Sequence, residues 1–267
     1  MVNVSHFKLS RAKFLRSVAI GFMASGLLAA CGGGGDSGSS ASSDVWSVGT
    51  EPAFPPFESV GDGEELVGFS IDLMNEIGER AGKTIEFNSL PFDGLIPALQ
   101  GNSIDAAISS MTITEEREET IDFSDPYFRA GLAIAVPEDT TDVSTIEDLE
   151  GKRIAAQIGT TGAETANSVE GAEVSEFDSA PLALQELANG NADAVINDAP
   201  VTLYAISTGN VPGVKVVGEL LTEESYGIAL PDGSENVEIV NEALTEIRAD
   251  GTYDEIYEKW FGVEPEE

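Results

Sequence analysis

Arg117 stands in "SSMTITEEREE" (109–119) among four glutamates, in a chain of 267 residues with 13 Lys and Arg against 48 Asp and Glu. A guanidinium is a planar fork that donates two parallel hydrogen bonds to a carboxylate, so this arginine is a candidate anion clamp. It is equally a candidate for an i,i+3 or i,i+4 pair with a neighbouring glutamate, worth about 0.2–0.5 kcal/mol. Spacing alone does not decide between the two. A second feature is "GTTG" (159–162), where Thr160 and Thr161 open a helical pattern. Helix-start N–H groups are orphan donors that favour an anion, and a threonine there is also a common cap. The third is Asp198, just past a strand pattern at 192–196. Open α/β sheets place ligands at the carboxyl ends of their strands, although one aspartate among 48 acids would in isolation be a surface or capping residue.

The N-terminus narrows the chemistry. Lys8, Arg11, Lys13 and Arg16 precede a short apolar run at 18–30 that ends in "LAAC". The run is shorter than the roughly 20 apolar residues a membrane span needs, so 1–31 reads as an export signal. "LAAC" resembles a bacterial lipobox, in which Cys31 would be diacylated and become the new N-terminus. "SRAKFLR" (10–16) resembles a twin-arginine signal, but Ala12 stands where the second arginine belongs, so general secretion is expected. The Gly/Ser tract at 32–43 reads as a flexible tether, with the folded part beginning near Asp44.

His6 and Cys31 are the chain's single histidine and cysteine. The exported domain is therefore expected to carry neither, which excludes Ser-His-Asp and Cys-His nucleophilic sites, imidazole or thiolate zinc sites and disulfides. No cofactor or metal is expected. Four of the 13 basic residues and none of the 48 acids lie in 1–31, which leaves nine against 48. Such a field repels nucleic acid. At about 1 M salt the Debye length is about 3 Å and the self-repulsion is screened, so the acidity suggests a halophile's exported protein. The 42% hydrophobic content argues against acidic disorder.

Short β-type runs alternate with helical patterns from 45 onward, which predicts α/β architecture with mostly parallel sheets. Strands are expected at 45–50, 84–87, 104–109, 132–136, 153–157, 192–196 and 226–230. Helices are expected at 70–81 with Gly82 as stop, 93–100, 115–120, from 160, 179–188, 235–249 and 253–260. Ser144 and Glu147 spell a capping box that opens a short helix, and so do Thr112 and Glu115. The elements form two similar sets and a C-terminal return segment, so two lobes are expected.

The motifs "VGTEPAFPPFE" (48–58), "VGFSIDLMNEI" (67–77), "FDGLIPALQ" (92–100), "SSMTITEERE" (109–118), "IDFSDPYF" (121–128), "QIGTTGAE" (157–164), "ADAVINDAP" (192–200) and "GTYDEIYEKWFG" (251–262) stand in a characteristic order. From about 45 to 262 the chain resembles the amino-acid-binding proteins of ABC importers, extracellular solute-binding protein family 3, in its polar and basic amino-acid group. The resemblance implies a type II periplasmic-binding-protein fold, two α/β lobes joined by two crossover strands that close over one amino acid. By that pattern 44–128 and 226–267 form lobe 1, 132–222 form lobe 2, and the hinges fall near 127–131 and 222–226. A lipid-anchored, monomeric protein outside the cytoplasm, with an ABC permease as its membrane partner, is expected.

A closed cleft must satisfy an α-carboxylate, an α-ammonium and a side chain without water. The resemblance assigns the carboxylate to Arg117 of "TxxxR" and to Thr160 and Thr161 of "GTT", and the ammonium to Asp198. Ser110 and Thr112 match positions that give a carbonyl and a hydroxyl to the same two groups. Phe54 and Phe92 match aromatic positions that sandwich the ligand's stem, with core packing as the alternative. Glu51 falls where the family often carries an acid that meets a polar or cationic tip, which disfavours an acidic ligand. Gln157 replaces a lysine of some glutamine-binding members. An arginine/lysine-type ligand is expected, with glutamine second.

Two rival readings share the fold. A dehydratase of prephenate- or arogenate-like substrates could use Glu51 and Asp198 as an acid/base pair without histidine. A receptor's amino-acid sensor domain is the other.

Overall fold

The structure is a computed structural model that describes residues 44–265; the signal, tether and Cys31 readings fall outside them. Strands β1 (Val45–Thr50), β2 (Ala53–Phe54), β3 (Glu58–Val60) and β4 (Leu66–Val67) lead into helix α1 (Phe69–Ala81). Then come β5 (Thr84–Ser89), α2 (Phe92–Gln100), β6 (Ala106–Ala107), α3 (Glu115–Glu118), β7 (Ile121–Phe123) and β8 (Phe128–Ala130). The middle of the chain forms β9 (Leu132–Pro137), β10 (Arg153–Gln157), α4 (Thr161–Asn167), β11 (Glu173–Phe177), α5 (Ala180–Ala188), β12 (Ala194–Asp198), α6 (Ala199–Ser207) and β13 (Val214–Val217). It returns through β14 (Glu224–Tyr226) to β15 (Ala229–Pro231), α7 (Asn236–Ala249) and α8 (Thr252–Phe261).

Two five-stranded sheets result, ordered β5-β1-β6-β15-β7 and β11-β10-β12-β9-β13. In each, four strands run one way and the fourth in order runs against its neighbours. The reversed strands, β15 and β9, are the ones that receive the chain from the other lobe. Between the sheets β8 and β14 pair antiparallel, Phe128 opposite Tyr226 and Ala130 opposite Glu224. The molecule is thus two mixed α/β lobes joined by a two-strand crossover.

Successive strand side chains point to opposite faces, and both faces of the second sheet are buried. Ile134, Val136, Ile154, Ala156 and Ile196 pack in one layer. Their neighbours Ala135, Ala155 and Val195 pack in the other, beneath α5. That double burial produces the continuous apolar runs of the sequence. In the first lobe Phe69, Leu73 and Ile77 of α1 bury their side chains, and Gly82 ends the helix at φ 65°, as the stop signal predicts. An aromatic cluster locks the crossover onto this lobe: the Phe57 ring lies 4.7 Å from Phe128 and 5.4 Å from Tyr226, centroid to centroid.

Several elements differ from the sequence expectation. The strand expected at 104–109 is two residues long, because the chain turns through Ser110 at φ 50°. The strand expected at 226–230 is two strands split at Gly227, where an added Cβ would lie 2.8 Å from Ile113. Helix α6 follows Asp198 directly, with Pro200 in its first turn, a start signal. At Ser144 the reach-back acceptor is Asp148, not Glu147; it takes the N–H groups of Ser144 and Thr145 at 2.9 and 3.0 Å.

Candidate functional site

Residues at or just past the carboxyl ends of β1, β6, β10 and β12 face each other across a cleft. All ten site residues singled out from the sequence line that cleft: Glu51, Phe54, Phe92, Ser110, Thr112 and Arg117 from the first lobe, Gln157, Thr160, Thr161 and Asp198 from the second. Ser109 joins them, and the space, its open mouth included, is about 290 Å³.

Arg117 is 7% exposed, while Glu115, Glu116, Glu118 and Glu119 are all exposed. Among the described residues it makes no ion pair, so the pairing reading of this arginine is not realised. Its Nη1 donates to the Thr112 carbonyl at 2.6 Å and its Nη2 to the Gly159 carbonyl, in the other lobe, at 3.0 Å. Two of its five N–H donors are thereby fixed, and the guanidinium lies 5.6 Å from the centre of the Phe92 ring. Burial lowers its pKa, opposed by Glu164, Glu224, Asp198 and Glu116. The helix it sits on is capped by Thr114, whose hydroxyl accepts from the Arg117 N–H at 3.2 Å. Thr112 is not that cap, which corrects the capping-box reading.

On the opposite wall Gln157 ends β10. Its Oε1 accepts from the Ala180 N–H at 3.1 Å, and its Nε2 donates to Glu51 Oε2 at 2.7 Å. Only this amide orientation gives the N–H an acceptor and the carboxylate a donor. Thr160 is a helix cap: its hydroxyl donates to the Gln157 carbonyl and accepts from the Ala163 N–H, at 2.8 and 3.2 Å. Its side chain is therefore committed to α4, and Thr161 presents the hydroxyl that is not.

Asp198 Oδ1 accepts from the Tyr226 hydroxyl at 2.8 Å. Burial, reinforced by Glu224, raises its pKa from 3.8 to about 7 against the opposing Tyr226 bond and Arg117. Burial likewise raises Glu51 to about 7, partly offset by the Gln157 bond and increased by Asp93 and Asp178. Glu51 and Arg117 thus feel different charged neighbours, while the buried Glu58 feels both Glu51 and Asp198.

In the first-lobe wall, Ser110 holds a left-handed backbone (φ 50°), which costs a non-glycine residue of order 1–3 kcal/mol. Its N–H donates to the Tyr127 hydroxyl at 3.1 Å, and its own buried Oγ has no hydrogen-bond partner. Both carboxyl oxygens of the fully buried Glu58 also lack one. Burial, reinforced by the charges of Glu51 and Asp198, holds that carboxyl well above its ordinary range.

Sequence reasoning missed Ser109, Glu58, Tyr226 and Glu224. Ser109 accepts from the Glu51 N–H at 3.0 Å, and its place beside Ser110 was the available signal. Glu224 had none, being one of two adjacent acids in "TEESY" (222–226), and its position depends on the pairing of β14 with β8.

A cleft between two α/β lobes on a crossover, lined by charged and hydroxyl groups from both, defines a two-lobed solute-binding protein. The chain belongs to the bacterial extracellular solute-binding proteins, family 3, whose family model matches residues 46–263. It is 35% identical over 246 residues to the probable histidine-binding protein of Neisseria gonorrhoeae, covering 89% of this chain and 91% of that one. It is 36% identical over 232 residues to ABC transporter arginine-binding protein 1 of Escherichia coli, covering 84% and 93%. Among solved structures, an ancestral arginine-binding protein bound to arginine is 46% identical with a TM-score of 0.79, over 82% of this chain and 99% of that one. An ancestral amino-acid-binding protein that is a precursor of cyclohexadienyl dehydratase is 38% identical with a TM-score of 0.76, over 82% and 96%.

Proposed function

We propose that this protein captures a basic L-amino acid of arginine or lysine type, with glutamine as the second choice, and delivers it to an ABC permease. The observation that carries this reading is one cleft lined by a single buried arginine and two buried carboxyls, Glu51 and Asp198. A buried arginine stands with Asp198 in one set of charges, and Glu51 with Asp93 and Asp178 in another. Arg117 and the N–H groups at the start of α4 take the α-carboxylate. Asp198, the Ser110 carbonyl and the Thr112 hydroxyl take the α-ammonium. Phe54 and Phe92 flank the stem, and Glu51, oriented by Gln157, meets a cationic tip. Three carboxyls around that end disfavour an acidic side chain.

In this reading 44–128 with 226–267 and 132–222 move as two bodies about 127–131 and 222–226, and Cys31 carries a lipid anchor behind the 32–43 tether. The protein works as a monomer in a salt-rich exterior. Calorimetry of the purified protein against the twenty L-amino acids in molar salt tests the proposal. Micromolar or tighter binding of arginine or lysine, or of glutamine as the second choice, is expected, and binding of none of the twenty overturns it.

A second reading rests on Glu51 and Asp198, both raised to about 7, the range in which a carboxyl serves as acid or base near neutrality. One solved relative is a precursor of cyclohexadienyl dehydratase. Turnover of prephenate or arogenate by the purified protein would favour this reading.

A further inference from the structure

Glu224 gathers three threonine hydroxyls from both lobes and the crossover. Its Oε2 accepts from Thr112 Oγ1 at 2.7 Å and from Thr161 Oγ1 at 3.0 Å. Its Oε1 accepts from Thr222 Oγ1 at 3.0 Å. The direction of the last bond is fixed because a carboxylate only accepts, and the same Thr222 hydroxyl accepts from the Leu132 N–H at 3.0 Å. The carboxylate is therefore tied to the start of β9 and held between the two cleft walls.

We propose that Glu224 is a positioning residue that sets the hydrogen-bond polarity of the cleft and couples it to lobe closure. A hydroxyl has one proton and two lone pairs. A carboxylate accepts only, so the protons of Thr112 and Thr161 point at Glu224 and their lone pairs are left for the cleft that both residues line. Each threonine then accepts from a ligand's ammonium and cannot donate to its carboxylate. Because Thr112 belongs to the first lobe and Thr161 to the second, only an arrangement with both walls at Glu224 orients both hydroxyls. Closure and recognition of the α-ammonium become one event. This inference rests on the amino-acid reading above and assigns to Glu224 a part in that same site.

The test compares wild-type protein with Glu224→Leu, which keeps the approximate size of the side chain but offers no acceptor and so releases the protons of both Thr112 and Thr161. The probes are L-arginine, L-histidine and L-glutamine, each paired with its desamino counterpart: 5-guanidinopentanoate, imidazolepropionate and glutaramate. Wild type is expected to prefer the α-amino member of a pair strongly, and Glu224→Leu is expected to shrink that preference by about tenfold or more, in keeping with one bond to a charged group. Thr112→Val, which leaves Glu224 in place, should shrink the preference as well, and the double variant should fall short of the product of the single effects. Equal weakening of both members of each pair, with an unchanged ratio, makes Glu224 a structural strut and overturns the inference. So does a Thr112→Val effect independent of Glu224. Wild type that binds none of the three amino acids overturns the amino-acid reading first, and this one with it.

Discussion

Gln157 Nε2 lies 2.7 Å from Glu51 Oε2, a direct bond across the cleft between residues 106 apart in the chain. It joins the end of β10 in one lobe to the loop after β1 in the other. The same amide caps α5 through its oxygen, so Glu51 meets a donor whose orientation the fold has already fixed.

Replacing Glu51 with Gln removes the negative charge while keeping the shape. Affinity for arginine and lysine should fall by about tenfold or more relative to glutamine, the scale of one charged hydrogen bond. Competition calorimetry with these three amino acids measures the ranking. An unchanged ranking places Glu51 outside the side-chain subsite.

Arg117→Lys keeps a cation but loses the planar fork. Binding of every amino acid recognised by wild type should weaken by about a hundredfold, because the α-carboxylate is common to all of them. The unliganded thermal midpoint should move little, since an ammonium can still reach the Thr112 carbonyl. Normal affinity with lowered stability would make Arg117 a structural residue.

The raised carboxyls set a pH dependence of definite sign. Asp198 and Glu51 titrate near 7 in the fold, against ordinary values of 3.8 and 4.5. A folded pKa above the unfolded one favours the fold while the group is protonated, so this contribution is full below about pH 4 and is lost as pH rises to about 7. The unliganded protein should therefore be more stable at pH 5 than at pH 8 in molar salt, where surface repulsion is screened. Binding of a cationic ligand runs the other way, because it needs the ionised forms. Affinity should rise from pH 5 to 8, and calorimetry at pH 6 in buffers of different ionisation enthalpy should show protons released. Proton uptake would contradict the assignment.

Gly131 sits between β8 and β9, where an added Cβ would lie 2.3 Å from the Thr222 carbonyl oxygen of the returning crossover. Backbone cannot yield as a flexible side chain can. Gly131→Ala should destabilise the fold by about 1–3 kcal/mol, measured by urea unfolding. It should also splay the crossover and weaken ligand binding even when the protein is folded. Wild-type stability would show that the two crossover strands are free to separate.

Much of the architecture was legible because its causes are local. The continuous apolar runs of β9, β10 and β12, the α1 stripe and its Gly82 stop, and the acidic outer face of α3 follow from residue order alone. The misses share a different cause. The shortening of β6 at Ser110 reflects a non-glycine residue held at φ 50° by its surroundings. The split at Gly227 reflects the close approach of Ile113. Thr112 reads as a cap because local pattern favours it, yet its proton goes to Glu224, 112 residues away.

The sequence by itself determined the fold class, the candidate set of ten cleft residues and the excess of acid, because these depend on composition, periodicity and motif order. Only the tertiary structure decided what each group bonds to. It turned Arg117 away from its glutamates, committed the Thr160 hydroxyl to a helix, buried Glu58 without a partner and brought Glu224 to threonines of both lobes. A hydroxyl proton or a carboxylate lone pair goes to the nearest competent partner in space, and in a two-lobed chain that partner lies at a distance along the sequence that no local pattern encodes.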